Sequence, residues 1–122
     1  MFELAVTRRF AAAHQLRGYK GKCENLHGHT YRVDVFVRAE KLNDLGLAVD
    51  FKELKAKIDD LLELYDHQFV NQVPPFDRIN PSAENMARVF YEEIEKRLPP
   101  GVAISRVTVW ESEDAAATYL VS

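Results

Sequence analysis

Three of the four histidines sit at two places, His14 after an extended run and His27 and His29 in the stretch Cys23-Glu24-Asn25-Leu26-His27-Gly28-His29. A strand has a side-chain period of two, so His27 and His29 project from one face if the chain is extended there. An antiparallel partner ending at His14 brings a third imidazole to the same place. Three neutral imidazoles suit Zn²⁺ and leave a coordination position for water or substrate, the arrangement of catalytic rather than structural zinc. Gly28 permits close backbone approach between the ligands. The competing reading, ordinary histidines around a turn glycine, does not account for their convergence on the two ends of one hairpin.

Further residues could act beside such a metal. Cys23 is the sole cysteine, which excludes an intramolecular disulfide and a cysteine-rich structural zinc site. Its loop carries Arg17, Lys20 and Lys22, and nearby cations favour the thiolate, a base or nucleophile. The alternative for Cys23 is a small buried apolar side chain. The same cations could draw an anionic substrate toward the metal. Asp66 and His67 place a carboxylate next to an imidazole. Adjacent residues of a continuous helix do not face one another, so the pair requires a helix break and is otherwise a solvated helix end. Glu111 continues the stripe Val107, Val109, and strand parity aims it toward the core side or a cleft. A carboxylate there can accept two hydrogen bonds from a guanidine-like heterocycle edge; a surface glutamate at a strand end is the other reading.

The elements that must position these groups are legible as periodicities. Phe2, Leu4 and Val6 alternate with polar or small residues in a strand running to His14, and Tyr31, Val33, Val35 and Val37 mark a second over 30–38. A long loop, 15–26, joins them, and loops of that length are commonly functional. A helix is predicted from Asp50, with Glu53 at capping-box spacing, to near 66–67 on the face Phe51, Leu54, Ile58, Leu61, Leu62 and Tyr65. A second begins around Asn80-Pro81-Ser82, buries Ala83, Met86, Ala87, Phe90, Ile94 and Leu98, and stops at Pro99-Pro100-Gly101. Two more strands, 104–110 and 116–121, flank the turn Ser112-Glu113-Asp114. The order strand, strand, helix, helix, strand, strand predicts an α+β fold with the helices covering one face of an antiparallel sheet. Its open edges invite pairing with further copies of the chain.

With 122 residues, 47% of them hydrophobic, one domain over 1–122 with a single core is expected. A net charge of −3 offers no footprint for nucleic acid. Neither a secretory apolar region nor a membrane-spanning run is present, so the expected location is cytoplasmic.

Taken together, FAAAH ending at His14, CENLHGH from Cys23, VDFKELK from Val49, YDHQFVN from Tyr65, NPSAEN from Asn80 and the strand reaching Glu111 resemble the pyruvoyltetrahydropterin synthase family over nearly the whole chain. The three-residue spacer between Cys23 and His27 is similar to the 6-carboxytetrahydropterin synthase branch of queuosine biosynthesis. Gln68 stands where many relatives have a second histidine, and Trp110 where polar residues are common.

The resemblance implies a tunnelling fold: ββααββ, a four-stranded antiparallel sheet with two helices on one face, assembled as a trimer-based homo-oligomer, up to a hexamer, around a barrel, with active sites at subunit boundaries. It implies His14, His27 and His29 as zinc ligands, Cys23 as the catalytic thiol, Asp66 and His67 as a proton relay, Glu111 as the anchor of the pterin ring and a member of that relay, and Ser82 as a further contact to the ring. The implied reaction converts 7,8-dihydroneopterin triphosphate to 6-carboxy-5,6,7,8-tetrahydropterin with release of acetaldehyde and triphosphate. The alternatives are 6-pyruvoyltetrahydropterin formation without carbon loss and a non-catalytic pterin- or metal-binding module.

Overall fold

A computed structural model describes residues 1–18, 20–21 and 25–121. Strands β1 (Phe2–His14) and β2 (His27–Ala39) pair antiparallel, helices α1 (Phe51–Leu62) and α2 (Ala83–Glu95) follow, and β3 (Ala103–Trp110) and β4 (Ala116–Tyr119) complete the sheet in the order β1-β2-β3-β4. The α+β, ββααββ arrangement expected from the sequence is the one found.

One sheet face is apolar because nearly every second residue is, the exception in β1 being Arg8, whose guanidinium pairs with Asp59 of α1. Val6, Phe10 and Ala12 of β1, Tyr31, Val33, Val35 and Val37 of β2, and Val107 and Val109 of β3 are buried with Leu54, Ile58 and Leu61 of α1 and Met86, Phe90 and Ile94 of α2. Asp50 caps α1, its side chain accepting from the Lys52 amide, and Ser82 caps α2, accepting from the Asn85 amide.

The boundaries differ from expectation where tertiary contacts intervene. β2 begins at His27 rather than at residue 30, so the histidines belong to the strand itself, with His14 opposite His27 and Ala12 opposite His29. α1 stops at Leu62 rather than near 66–67. Turns carry the chain on to His67, whose φ of 59° lies in the left-handed region. There the edge of β1 captures it: the Ala11 amide donates to Asp66, the His67 amide donates to the Ala11 carbonyl, and the Ala13 amide donates to the Gln68 carbonyl. Strand pairing thus overrides the helical pattern and supplies the break that an Asp66–His67 pair requires. α2 likewise ends before Leu98, and β4 before residue 121.

The opposite sheet face carries a polar network. Asp34, 7% exposed, accepts hydrogen bonds from Thr7 (2.7 Å), from Arg32 Nε and Nη2 (both 3.0 Å) and from Trp110 Nε1 (2.9 Å). Burial alone would raise its carboxyl, but the hydrogen bonds from Arg32, Thr7 and Trp110 outweigh burial and hold it below the ordinary carboxylate value. Because the folded state depresses this group, its stabilisation is present above the unfolded value near 3.8 and is lost as pH falls through the lower folded value. Asp34→Asn is therefore expected to cost about 1–3 kcal/mol at neutral pH. The difference from the native protein should shrink between about pH 5 and pH 2, read from urea unfolding midpoints at each pH. A pH-independent difference would show that the charge is not what matters.

Candidate functional site: a three-histidine and glutamate cluster

The apolar stripe of β2 runs Val37, Val35, Val33, Tyr31 and then continues, on the same face, as His29 and His27. β1 does the same, from Phe10 and Ala12 to His14. The polar cluster is thus the end of the hydrophobic core, built by strand parity.

His14, His27, His29 and Glu111 bring one ligand atom each within 4.8 Å of one another. His14 Nε2 lies 3.0 Å from His27 Nε2 and 3.1 Å from Glu111 Oε1, and His29 Nε2 lies 3.5 Å from the same oxygen. Two backbone carbonyls fix the imidazoles. His14 Nδ1 donates to Pro81 O at 2.8 Å, and His27 Nδ1 donates to Asn25 O at 2.7 Å. With Nδ1 donating in each, the Nε2 atoms turned toward each other both carry lone pairs whenever the two rings are neutral. Burial pushes His14 and His29 below the ordinary histidine value, which favours neutral rings.

Neutral imine nitrogens 3.0 Å apart repel unless a cation lies between them. Ligands at about 2.0–2.1 Å in a tetrahedron stand about 3.3 Å from one another, close to the spacings around His14. His29 Nε2 is buried and has no hydrogen-bond partner among the described residues. The donor set, its pinned tautomers and this unpartnered nitrogen fit a zinc-type ion, and the carbonyls of Pro81 and Asn25 are the orienting partners such ligands usually have.

The other expected residues are distributed around the cluster. Glu111 follows β3 and turns Oε1 toward the histidines, which makes it a fourth candidate ligand as well as a candidate ring anchor. His67 and Gln68 share an open cleft of about 560 Å³ with His29 and Gly28. Asp66 Oδ1 contacts His67 Nδ1 at 3.1 Å. The Ala11 amide first, and then His67, hold the Asp66 carboxyl below its ordinary range, so it is the ionised partner of the pair. Ser82 is next to Pro81, and its oxygen accepts from the Asn85 amide at 3.1 Å as the cap of α2. Cys23 and Lys22 lie outside the described residues.

Arg17 is used differently from expectation. Its guanidinium donates to the carbonyls of Ile79 (3.3 Å), Asn71 (3.1 Å) and Phe76 (2.7 Å), so it pins the loop after β1 to the segment before α2 rather than standing ready to attract an anion. The side chains of Asn71 and Asn80 complete that seam by bonding the backbones of Gln15 and Arg17. Backbone carbonyls have no sequence signature, and the orienting roles of Pro81 and Asn25 could not be read from residue types; the two asparagines were visible only as members of the motifs YDHQFVN and NPSAEN.

A cluster of three histidines and a glutamate that could hold a metal ion, on the paired strands of a ββααββ sheet with two helices and beside an Asp–His pair, marks out a small class of α+β proteins. Residues 3–121 match the family described as 6-pyruvoyl tetrahydropterin synthase, and the chain belongs to that family. It is 35% identical over 115 residues to a Synechocystis protein named 6-carboxy-5,6,7,8-tetrahydropterin synthase, covering 90% of this chain and 86% of the relative. It is 34% identical over 105 residues to the dihydroneopterin monophosphate aldolase of Pyrococcus furiosus, covering 86% and 85%. The 6-pyruvoyl tetrahydropterin synthase of Caenorhabditis elegans superimposes with a TM-score of 0.88 at 26% identity, covering 99% of this chain and 96% of that one. No helix among the described residues is long and apolar enough to cross a membrane.

Proposed function

We infer that the chain is a zinc-dependent 6-carboxytetrahydropterin synthase acting on 7,8-dihydroneopterin triphosphate in 7-deazapurine (queuosine) formation, as a homo-oligomer with sites at subunit boundaries. The observation that carries this reading is the convergence of His14, His27, His29 and Glu111 beside the cleft that holds His67. The relatives named for this activity and the three-residue spacer before His27 support the carboxy product.

His14, His27 and His29 would hold zinc through their Nε2 atoms, and the ion supplies Lewis-acid polarisation of the side-chain oxygens of the substrate. Cys23 takes a proton from the side-chain carbon. Glu111 accepts from the N–H and NH₂ edge of the pterin, an arrangement that fixes the ring in orientation, with Ser82 as a second contact. His67, held by ionised Asp66, delivers protons during the internal redox step. One water enters to balance oxygen: the outer two side-chain carbons leave as acetaldehyde, the phosphates leave as triphosphate, and the inner carbon stays on the ring as the carboxyl group.

The relative named dihydroneopterin monophosphate aldolase favours a second reading, carbon–carbon cleavage without redox on a monophosphate. Product mass from each substrate separates the readings. Zinc-loaded protein given dihydroneopterin triphosphate is expected to release acetaldehyde and the carboxypterin in equal amounts. Pyruvoyltetrahydropterin without acetaldehyde, or turnover confined to the monophosphate, would overturn the carboxy assignment.

A further inference from the structure

Two buried side-chain polar atoms have no hydrogen-bond partner among the described residues: His29 Nε2 and the hydroxyl of Tyr31. They belong to residues two apart on the same face of β2, so both lie where the apolar core gives way to the histidine cluster. Tyr31 is fully buried. Its ring stacks on Phe10 at 4.9 Å and meets His14 and His29 edge-on at 5.6 Å and 5.5 Å between centroids. Phe10 turns its remaining contacts to Tyr65 and Phe90, so within this aromatic chain Tyr31 is the link facing the histidines.

A phenylalanine would fill the same core position without leaving a hydroxyl unbonded, an omission that ordinarily costs stability. We propose that the Tyr31 hydroxyl donates a hydrogen bond to the oxygen bound at the open coordination position of the His14–His27–His29 site, and so positions that oxygen. The assignment rests on the metal-site reading above and not on which pterin product is made.

The test compares native protein with Tyr31→Phe, each loaded with Co²⁺ and followed by visible absorption during titration with acetohydroxamate, an oxygen ligand, and with 2-mercaptoethanol, a sulfur ligand and poor hydrogen-bond acceptor. Expected are one cobalt per chain in both proteins, an unchanged or higher unfolding temperature for the variant, and acetohydroxamate affinity weakened about tenfold, the size of one hydrogen bond to a charged acceptor. Affinity for 2-mercaptoethanol should be unchanged. Equal acetohydroxamate affinity in the two proteins, or equal weakening toward both ligands, would overturn the proposal while leaving the enzymatic reading in place. Native protein that takes up no cobalt would overturn both. If cobalt binds and the ligand selectivity holds but no pterin product forms, only the enzymatic reading fails.

Discussion

His27→Ala is expected to give a folded chain that loses its zinc on dialysis and has no measurable turnover. His27 sits at the first position of β2, half-buried, with its Nδ1 bonded to a local carbonyl two residues away. Its removal therefore takes little from the core, in contrast with fully buried His14. Loss of a partner that merely orients a ligand weakens metal affinity by roughly 10- to 100-fold, and loss of the ligand itself should exceed that. Metal content per chain after dialysis, together with the unfolding temperature, reads the result. Full zinc stoichiometry in the variant would place the ion elsewhere or show that Glu111 replaces the missing nitrogen.

Cys23→Ala should behave in the opposite way, retaining one zinc per chain while turnover falls by about 100- to 10,000-fold, the range for removal of a positioned acid or base. The two variants together separate ligation from chemistry. A protein that only binds a pterin or a metal needs no thiol, so pterin binding that survives in both variants, with no native turnover, would identify a binding module. Turnover within a few-fold of native in the Cys23 variant would remove the thiol from the mechanism.

The fold and most of the cluster were legible because both rest on period-two patterning. His14, His27 and His29 share parity with Phe10, Tyr31 and Val33, and Glu111 shares it with Val107 and Val109. What could not be read was set by backbone atoms and long-range pairing. The carbonyls of Pro81 and Asn25 that orient the imidazoles carry no residue-type signal. The helix break before His67 arises from the Ala11 and Ala13 backbone of a strand more than fifty residues earlier in the chain. Arg17 looked like a free cation because a sequence does not display the three carbonyls it binds. The approach of Glu111 to the histidines was hidden by the turn of its side chain after the end of β3.

The pairing of His14 with His27 lies at the end of a ladder that holds its step from Phe2 opposite Ala39 all the way along. A slip of one residue would move His14 to the opposite face and, in the same motion, expose Val6 and Phe10 to water. A chain with a misassembled histidine cluster is thus also a chain without a core. The many hydrophobic residues proofread the few polar ones, because the register that buries the core is the same one that brings the imidazoles together.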